Sequence, residues 1–98
     1  MNTEIAAAIG THTRLTIWYS GGARLIEPHA YGTSQKGKEL LKAFQLSGHS
    51  LSGRPTGWKT FRADKITAIL PSDEIFSPQP GWTPTDTTMF TTLATLTL

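Results

Sequence analysis

Residues 57–69, which read GWKTFRADKITAI, concentrate the side chains that could bind an anionic or aromatic ligand. Trp58 and Arg62 occupy even-numbered positions of this stretch, and Phe61 occupies an odd-numbered one. Because successive side chains of a strand point to opposite faces of a sheet, we expect Phe61 to face a core and Arg62 to stand beside Trp58 on the other surface. Arg62 is the strongest candidate, since arginine is seldom buried without a partner and its planar fork fits phosphate or carboxylate.

Further rings and cations on neighbouring predicted strands, and in one loop, extend this candidate surface. Such a mixture binds single-stranded nucleic acid, because the cations follow the phosphates and the rings stack against the bases. The predicted ligand-binding residues are Arg62, Trp58, Lys59, Tyr19, His29, Lys42, Gln45 and Arg54, with Trp18 beside Tyr19. The alternative is that the rings fill the core of a small β domain. We favour the core for Phe44 and Phe61, and both roles stay open for Tyr19 and Trp58.

The charges are distributed unevenly along the chain, although the formal net charge is only +2. Residues 32–65 hold seven basic and two acidic side chains, whereas the rest of the chain holds two basic and five acidic ones. This asymmetry indicates one face that attracts polyanions. The alternative is an ordinary solvated face that is rich in lysine.

The histidines do not form a pattern that indicates metal binding. His12, His29 and His49 lie in three different predicted elements without HxH or HxxxH spacing, and the chain has no cysteine. A metal site needs such ligands to converge, so we predict no metal and no cofactor. We expect His29 to be a structural hydrogen-bonding residue or a polar group of a pocket.

Common catalytic arrangements are also missing from the sequence, and we therefore predict that the chain is not an enzyme. The serines lie in predicted turns without the strand-to-helix elbow of a nucleophilic serine. The carboxylates show no paired spacing for acid–base work, and the glycine-rich loops match no phosphate-binding fingerprint. Asp64 is instead expected to pair locally with Arg62 or Lys65.

Short strands and one short helix position these side chains. Alternating apolar residues and turn signals predict strands at 15–19, 23–27, 39–46, from residue 57 onwards, and at 66–70. Ser20-Gly21-Gly22 predicts a hairpin, and Pro28 predicts a bulge, bend or edge because proline has no amide hydrogen. Residues 3–9 predict a helix that is capped by Thr3 and carries Ile5 and Ile9 on one face.

Two segments lie outside the predicted strands. Residues 47–57 form a glycine- and serine-rich loop, and loops of this length are more often functional than decorative. Near the C-terminus, Thr83 and Pro84 resemble a helix start, and Met89, Leu93 and Leu96 follow at helical spacing. We predict a C-terminal helix packed on the strands, although threonine, which is abundant here, prefers strands.

Five stretches of the sequence share their order and spacing with one family of small β domains. They are LTIWYSGG (15–22), RLIEPHAYG (24–32), KGKELLKAFQLSGHS (36–50), GWKTFRADKI (57–66) and the closing segment 66–76. Together they resemble the WYL domain, an Sm-like or SH3-like β-barrel of bacterial and phage regulators. The resemblance implies a small barrel of mainly β-structure. Together with the predicted elements, it gives a five-stranded barrel with a short N-terminal helix and a C-terminal helix. It departs at the family's Trp-Tyr-Leu, where this chain has Glu39-Leu40-Leu41.

The 98 residues predict one domain, with a barrel core at 5–76 and a C-terminal extension at 77–98. The N-terminal residues lack the basic lead and long apolar stretch of a secretory signal. No run of eighteen apolar residues occurs, so we expect no membrane span. These features predict a cytoplasmic location.

The resemblance implies a regulatory module that binds nucleic acids or nucleotide-like ligands. We therefore predict binding of single-stranded nucleic acid or a nucleotide-like anion on a basic and aromatic barrel face. The alternative is a protein–protein interaction adaptor, related to phage or defence processes, that uses the barrel edge or the C-terminal tail. Loss of the aromatic pair at Glu39-Leu40 favours this alternative. A third hypothesis is a homo-oligomer formed through edge strands.

Overall fold

The computed structural model describes residues 2–51, 53–82 and 91–96, and these are mainly β-structure. The elements are α1 (Thr3–Thr11), β1 (Thr13–Tyr19), β2 (Gly22–Thr33), β3 (Glu39–Gly48), β4 (Gly57–Arg62), β5 (Ala68–Ile75) and β6 (Thr91–Thr95). A 3₁₀ turn at Ala63–Lys65 joins β4 to β5. The strands form one antiparallel sheet in the order β4-β3-β2-β1-β5, and β6 pairs with β2. Within the described strands β4 and β5 do not pair, so the sheet is not closed.

The strand β2 is the centre of the sheet because it pairs with β1, β3 and β6. The predicted hairpin from β1 to β2 is confirmed, and it turns through Ser20 and Gly21, which both have the positive φ of a tight two-residue turn. Farther along β2 the pairing with β3 shifts register between Pro28 and Ala30. The predicted bulge at Pro28 is therefore confirmed, and it leaves His29 as the unpaired residue of the ladder.

The helix α1 begins at Thr3, as predicted, and ends two residues later than the predicted Ile9. The side chain of Asn2, not Thr3, caps it by accepting a hydrogen bond from the Ile5 amide at 3.1 Å. His12 ends it in the left-handed conformation. Ile5 and Ile9 are buried, as predicted for one helix face. No helix in the described part of the chain is long and apolar enough to cross a membrane.

The core lies on the inner face of the sheet, beneath α1. Its buried members are Ile5, Ala8, Ile9, Leu15, Ile17, Ile26, Tyr31, Leu41, Ala43, Phe61, Phe76 and Leu96. Full burial of each large apolar side chain stabilises the fold by roughly 1.5–3 kcal/mol. The expected core position of Phe61 is confirmed. Phe44 is not a core residue, because it pairs with Trp58 on the opposite, outer face of the sheet.

The C-terminal part of the predicted helix is wrong for the residues that the structure describes. Thr91–Thr95 forms β6, and Leu96 enters the core, while residues 83–90 lie outside the described ranges together with Met89. β6 pairs with the second half of β2, from Ala30 to Thr33. Threonine favours strands because its branched Cβ suits a pleated surface. The helical spacing of Leu93 and Leu96 was therefore a weaker signal than the composition.

The strand β5 is longer than predicted, because it continues through Pro71 to Ile75. Proline lacks the N–H of a ladder, and a strand tolerates it only where no partner needs that group. β5 meets this condition, since it pairs with β1 on one side only and lies at the end of the strand order. Leu70 and Ile75 on this edge are 59% and 74% exposed.

Candidate ligand-binding surface

Three of the predicted site residues meet on the outer face of the sheet. Trp58 of β4 lies opposite Phe44 of β3, and Lys42 lies two positions away on the same face. The Lys42 ammonium is 5.8 Å from the ring centroid of Trp58 and 6.0 Å from that of Trp82. His29 contacts both indole rings. We call the rings of His29, Phe44, Trp58 and Trp82 the aromatic cluster.

Trp58 is the ring that the aromatic cluster presents to solvent. It is 39% exposed, whereas Trp82 is 5% exposed. The two indoles stack at 5.8 Å with 28° between their planes. His29 and Phe44 meet Trp58 edge-on, with centroid distances of 4.7 Å and 5.5 Å. Each such aromatic pair contributes about 0.5–1.5 kcal/mol beyond burial, so three neighbours fix the orientation of the exposed ring.

His29 holds the cluster together through both of its ring nitrogens. Nε2 accepts a hydrogen bond from the Gln79 amide at 3.1 Å, so the proton resides on Nδ1, which donates to the Glu27 carbonyl at 2.7 Å. Desolvation by burial is the main cause that lowers the pKa of His29, which favours this neutral form. His29 is thus the structural hydrogen-bonding residue that was expected.

The segment 76–82 carries Trp82 onto the outer face and is anchored to Glu27. The Gln79 side-chain amide donates to one oxygen of this carboxylate at 2.7 Å, and Arg14 Nε donates to the other at 3.0 Å. Glu27 is only 2% exposed, so both oxygens need such donors. The packing of Trp82 on Trp58 therefore depends on hydrogen bonds to β2.

Arg62 lies on the outer face with Trp58, but its guanidinium already has an anionic partner. Nη2 donates to the Asp64 carboxylate at 2.9 Å, which confirms the expected local pair. The two side chains are 37% and 54% exposed, and ion pairs at such positions contribute only about 0–1 kcal/mol. An anionic ligand that binds Arg62 must therefore compete with Asp64.

Lys59 and Arg54 do not join the aromatic cluster. Lys59 lies opposite the buried Ala43, so its side chain leaves the sheet from the inner face. Its ammonium donates to the Arg54 carbonyl at 2.7 Å and lies 3.4 Å from the Ser50 hydroxyl. Lys59 thus ties the loop after β3 to β4, and Arg54 is exposed in that loop.

Tyr19 and Gln45 also lie on the inner face, where neither can stack or bind at the outer surface. The Tyr19 ring packs edge-on against Phe61 at 4.9 Å, and its hydroxyl accepts the Arg62 amide at 3.1 Å. Gln45 is fully buried, and its amide donates to the His49 carbonyl at 2.9 Å. Of the two roles that were open for Tyr19, packing in the core and ligand binding, the structure shows packing against the core residue Phe61.

A groove of about 500 Å³ lies beside the start of α1 and shares no residue with the aromatic cluster. Its walls are Asn2, Gly37, Lys38, Glu39, Ala63 and Asp64. The buried Tyr31 hydroxyl donates to the Glu39 carboxylate, and this bond is the main cause that lowers the pKa of Glu39. Glu39 thus has a structural partner in this chain.

Trp82 completes the aromatic cluster and was not among the predicted site residues. Its only signal was a tryptophan between proline and glycine on one side and a further proline on the other, outside every predicted strand. No three histidine, aspartate or glutamate side chains within the described ranges gather closely enough to hold a metal ion.

Comparison with known proteins finds no family model, no curated protein and no solved structure that matches this chain. The function therefore has to be inferred from the arrangement of the chain's own side chains. The strongest outward-facing arrangement is Trp58 with its ring supports and Lys42.

Proposed function

We propose that this chain is a ligand-binding module that holds single-stranded nucleic acid or a nucleotide on the outer face, with one base stacked on Trp58. The supporting observation is an indole that is 39% exposed and held by three neighbouring rings, with the Lys42 ammonium 5.8 Å from its centroid. A ring that is already oriented loses little freedom when a base stacks on it. Stacking contributes about 1–3 kcal/mol per base.

Phosphate binding is assigned to the cations that share this face. Lys42 supplies positive potential beside the rings, and Arg62 lies on the same face of β4 as Trp58. A phosphate group can compete with Asp64 for the guanidinium of Arg62, because an ion pair this exposed contributes only about 0–1 kcal/mol and the guanidinium fork also fits phosphate oxygens. Of the residues predicted from the sequence, Trp58, Lys42, Arg62 and the supporting His29 therefore form the proposed site.

We also propose that the chain is a WYL-like domain and that its first five strands curl into a small Sm-like or SH3-like barrel. Two observations support this reading. The strand order β4-β3-β2-β1-β5 places β4 and β5 at its two ends, and the short segment that joins them contains a single 3₁₀ turn. A short linker of this kind brings the two end strands near each other, as an almost closed sheet requires.

The replacement Trp58→Ala tests the proposed base-stacking role. We expect binding of a fluorescein-labelled oligothymidylate, measured by anisotropy at low salt, to weaken about 10- to 100-fold, because one stacking contact is lost. The matched control is Trp18→Ala, since Trp18 is 38% exposed and makes no ring contact within the described residues. It should retain full affinity.

The same titration at increasing salt separates phosphate binding from stacking. Wild-type affinity should fall with salt, and Lys42→Ala should reduce the slope by about one. Equal losses in the two tryptophan variants, or binding that does not respond to salt, would contradict the proposal.

The free edge of β5 favours a second candidate function, a protein-interaction adaptor. Leu70 and Ile75 are exposed on this edge strand, whose outer N–H and C=O groups are available to a further strand. Light scattering after size exclusion should then show association that Leu70→Lys abolishes. Oligonucleotide binding should be unchanged in this variant. A monomer at high concentration, with no protein partner recovered, would exclude this candidate.

A further inference from the structure

Arg24, which no predicted function uses, is buried without a polar partner. The residue is 5% exposed, and within the described residues it makes no ion pair and no side-chain hydrogen bond. Its Nε atom is fully enclosed and has no acceptor. Charged side chains are almost never buried unless they are paired, because a buried N–H without an acceptor loses its hydration and gains nothing in return.

Aromatic packing explains the position of Arg24 but not its missing hydrogen bonds. The guanidinium carbon lies 5.2 Å from the Tyr19 ring centroid and 5.5 Å from that of Phe61. Such rings attract the faces of a planar cation. The Nε–H group lies in the plane of the guanidinium and points away from a ring that packs on its face, so the rings do not replace the acceptor that the enclosed Nε lacks.

A second unpartnered group lies beside Arg24 on the inner face. Gln45 is fully buried, and its Oε1 atom has no donor because its amide nitrogen is already bound to His49. Gln45 lies opposite Ile26, two residues from Arg24, which makes it a diagonal neighbour across β2 and β3. Long side chains reach each other at this spacing. This end of the inner face thus holds a donor without an acceptor, Arg24 Nε, and an acceptor without a donor, Gln45 Oε1.

The charges around this end of the sheet are positive. Lys59 leaves β4 from the same inner face, and the acids that could neutralise Arg24 are engaged elsewhere, Glu27 with Arg14 and Asp64 with Arg62. No carboxylate within the described residues pairs with Arg24. An anion is therefore the kind of group that fits this position.

The loop after β3 begins directly against Arg24. Gly48 lies opposite Arg24 with a φ of 110°, and a Cβ at Gly48 would lie 2.3 Å from the Ala23 carbonyl oxygen. The His49 amide bonds to that same oxygen at 3.0 Å. Only glycine fits this close contact, so Gly48, the last residue of β3, packs directly on the backbone of Ala23 and Arg24.

We propose that Arg24 and Gln45 form a site for a phosphate group, either inorganic phosphate or the phosphate of a nucleoside monophosphate. The guanidinium fork binds the anionic oxygens of such a group. A phosphate that retains one proton also offers an O–H donor to Gln45 Oε1, which a carboxylate such as acetate lacks. The site lies on the inner side of the sheet and does not include Trp58, so it is independent of the proposed nucleic-acid surface.

Arginine side-chain nuclear magnetic resonance tests this proposal directly. The chain has four arginines, so a ¹⁵N-labelled sample has four Nε–Hε signals, and Arg24→Lys identifies the signal of Arg24. Sodium phosphate should shift that signal in a saturable way, while sodium chloride at equal ionic strength and sodium acetate should not. The signals of Arg14 and Arg54, which belong to neither proposed site, are internal controls and should stay in place, whereas Arg62 belongs to the proposed nucleic-acid surface and is not used as a control. An unmoved Arg24 signal, or four signals that move together, would overturn the proposal.

A parallel titration with AMP distinguishes the two sources of phosphate. Tighter binding of AMP indicates the phosphate end of a nucleoside, and equal binding indicates the free ion. The replacement Gln45→Met should weaken phosphate binding about tenfold, because it removes the acceptor and keeps the volume. Trp58→Ala should leave it unchanged, so this site can fail or succeed apart from the proposed function.

Thermal melting adds a readout that a purely structural Arg24 would not move. Phosphate should raise the melting temperature of the wild type and leave that of Arg24→Met unchanged. Without phosphate, Arg24→Met should melt no lower than the wild type, because an unpaired buried charge has been replaced by an apolar chain. A lower melting point, together with no phosphate effect on the wild type, would assign Arg24 to packing alone.

Discussion

Single residues on β4 differ in what the fold leaves available to a ligand. Trp58 keeps 39% of its surface exposed, although three rings hold it in place. Arg62, four residues farther along the same face of β4, forms an ion pair with Asp64 at 2.9 Å. The exposed part of the Trp58 ring is therefore open to a stacking partner, whereas an anion that binds Arg62 has to displace the Asp64 carboxylate.

The replacement Asp64→Asn should strengthen binding of the oligothymidylate. It releases Arg62 from an exposed ion pair of about 0.2–1 kcal/mol, so we expect affinity to rise up to roughly fivefold in the same anisotropy assay. The control is Asp73→Asn, which removes an equal charge from an exposed position of β5. A gain of the same size in both variants would show that net charge, not the release of Arg62, controls binding.

At the scale of elements, the outer surface depends on one segment that belongs to no strand. This segment runs from Phe76 in the core to Trp82 on the outer face, and it is attached to β2 through the His29 ring and the Glu27 carboxylate. The bulge at Pro28 leaves His29 outside the ladder, so its ring can meet the Gln79 amide. A bulge in one strand thus positions a tryptophan contributed by a distant segment.

Loss of the side-chain bond between Gln79 and Glu27 should therefore destabilise the molecule. We expect Gln79→Ala to lower the free energy of unfolding in urea by about 1–3 kcal/mol, because it leaves a buried carboxylate oxygen without its donor. Gln35→Ala, in an exposed turn, is the control and should stay within about 0.5 kcal/mol of the wild type. Unchanged stability in Gln79→Ala would mean that Gln79 does not anchor the segment.

For the whole molecule, two titrating groups make the fold sensitive to acid. Burial lowers the pKa of His29 from its ordinary 6.5, and the Tyr31 hydrogen bond lowers the pKa of Glu39 from its ordinary 4.5. A lowered pKa in the folded state means that the unfolded state binds protons first as pH falls. Both groups therefore contribute stability above their unfolded pKa values and lose it below them.

Stability measured by urea unfolding should decline in two stages as pH falls. The first stage begins near 6.5 with His29, and the second begins near 4.5 with Glu39. His29→Phe should remove the first stage, whereas His49→Gln, at an exposed position, should retain it. A profile that is flat between pH 7 and pH 5 would contradict the structural role of His29.

Local features of this chain could be predicted from the sequence, and distant contacts could not. The parity of 57–62 put Phe61 inward and Trp58 outward, Pro28 marked a bulge, and Asp64 paired with Arg62. Each of these follows from side-chain alternation, a missing amide hydrogen or short sequence separation. The same alternation places Lys59 on the face opposite Trp58, so the sequence also indicated that Lys59 does not lie on the outer surface.

Three contacts follow from tertiary packing and not from local sequence. Trp82 stacks on Trp58, β6 pairs with the second half of β2, and Arg24 lies against the rings of Tyr19 and Phe61. These contacts join residues far apart in sequence. They depend on which strand edge remains unpaired and which part of a face remains uncovered once the other elements have packed. The order of residues along each strand fixes which side chains lie on its two faces, because backbone geometry dictates that alternation. Which of those presented groups meet one another was decided by the packing of the whole chain.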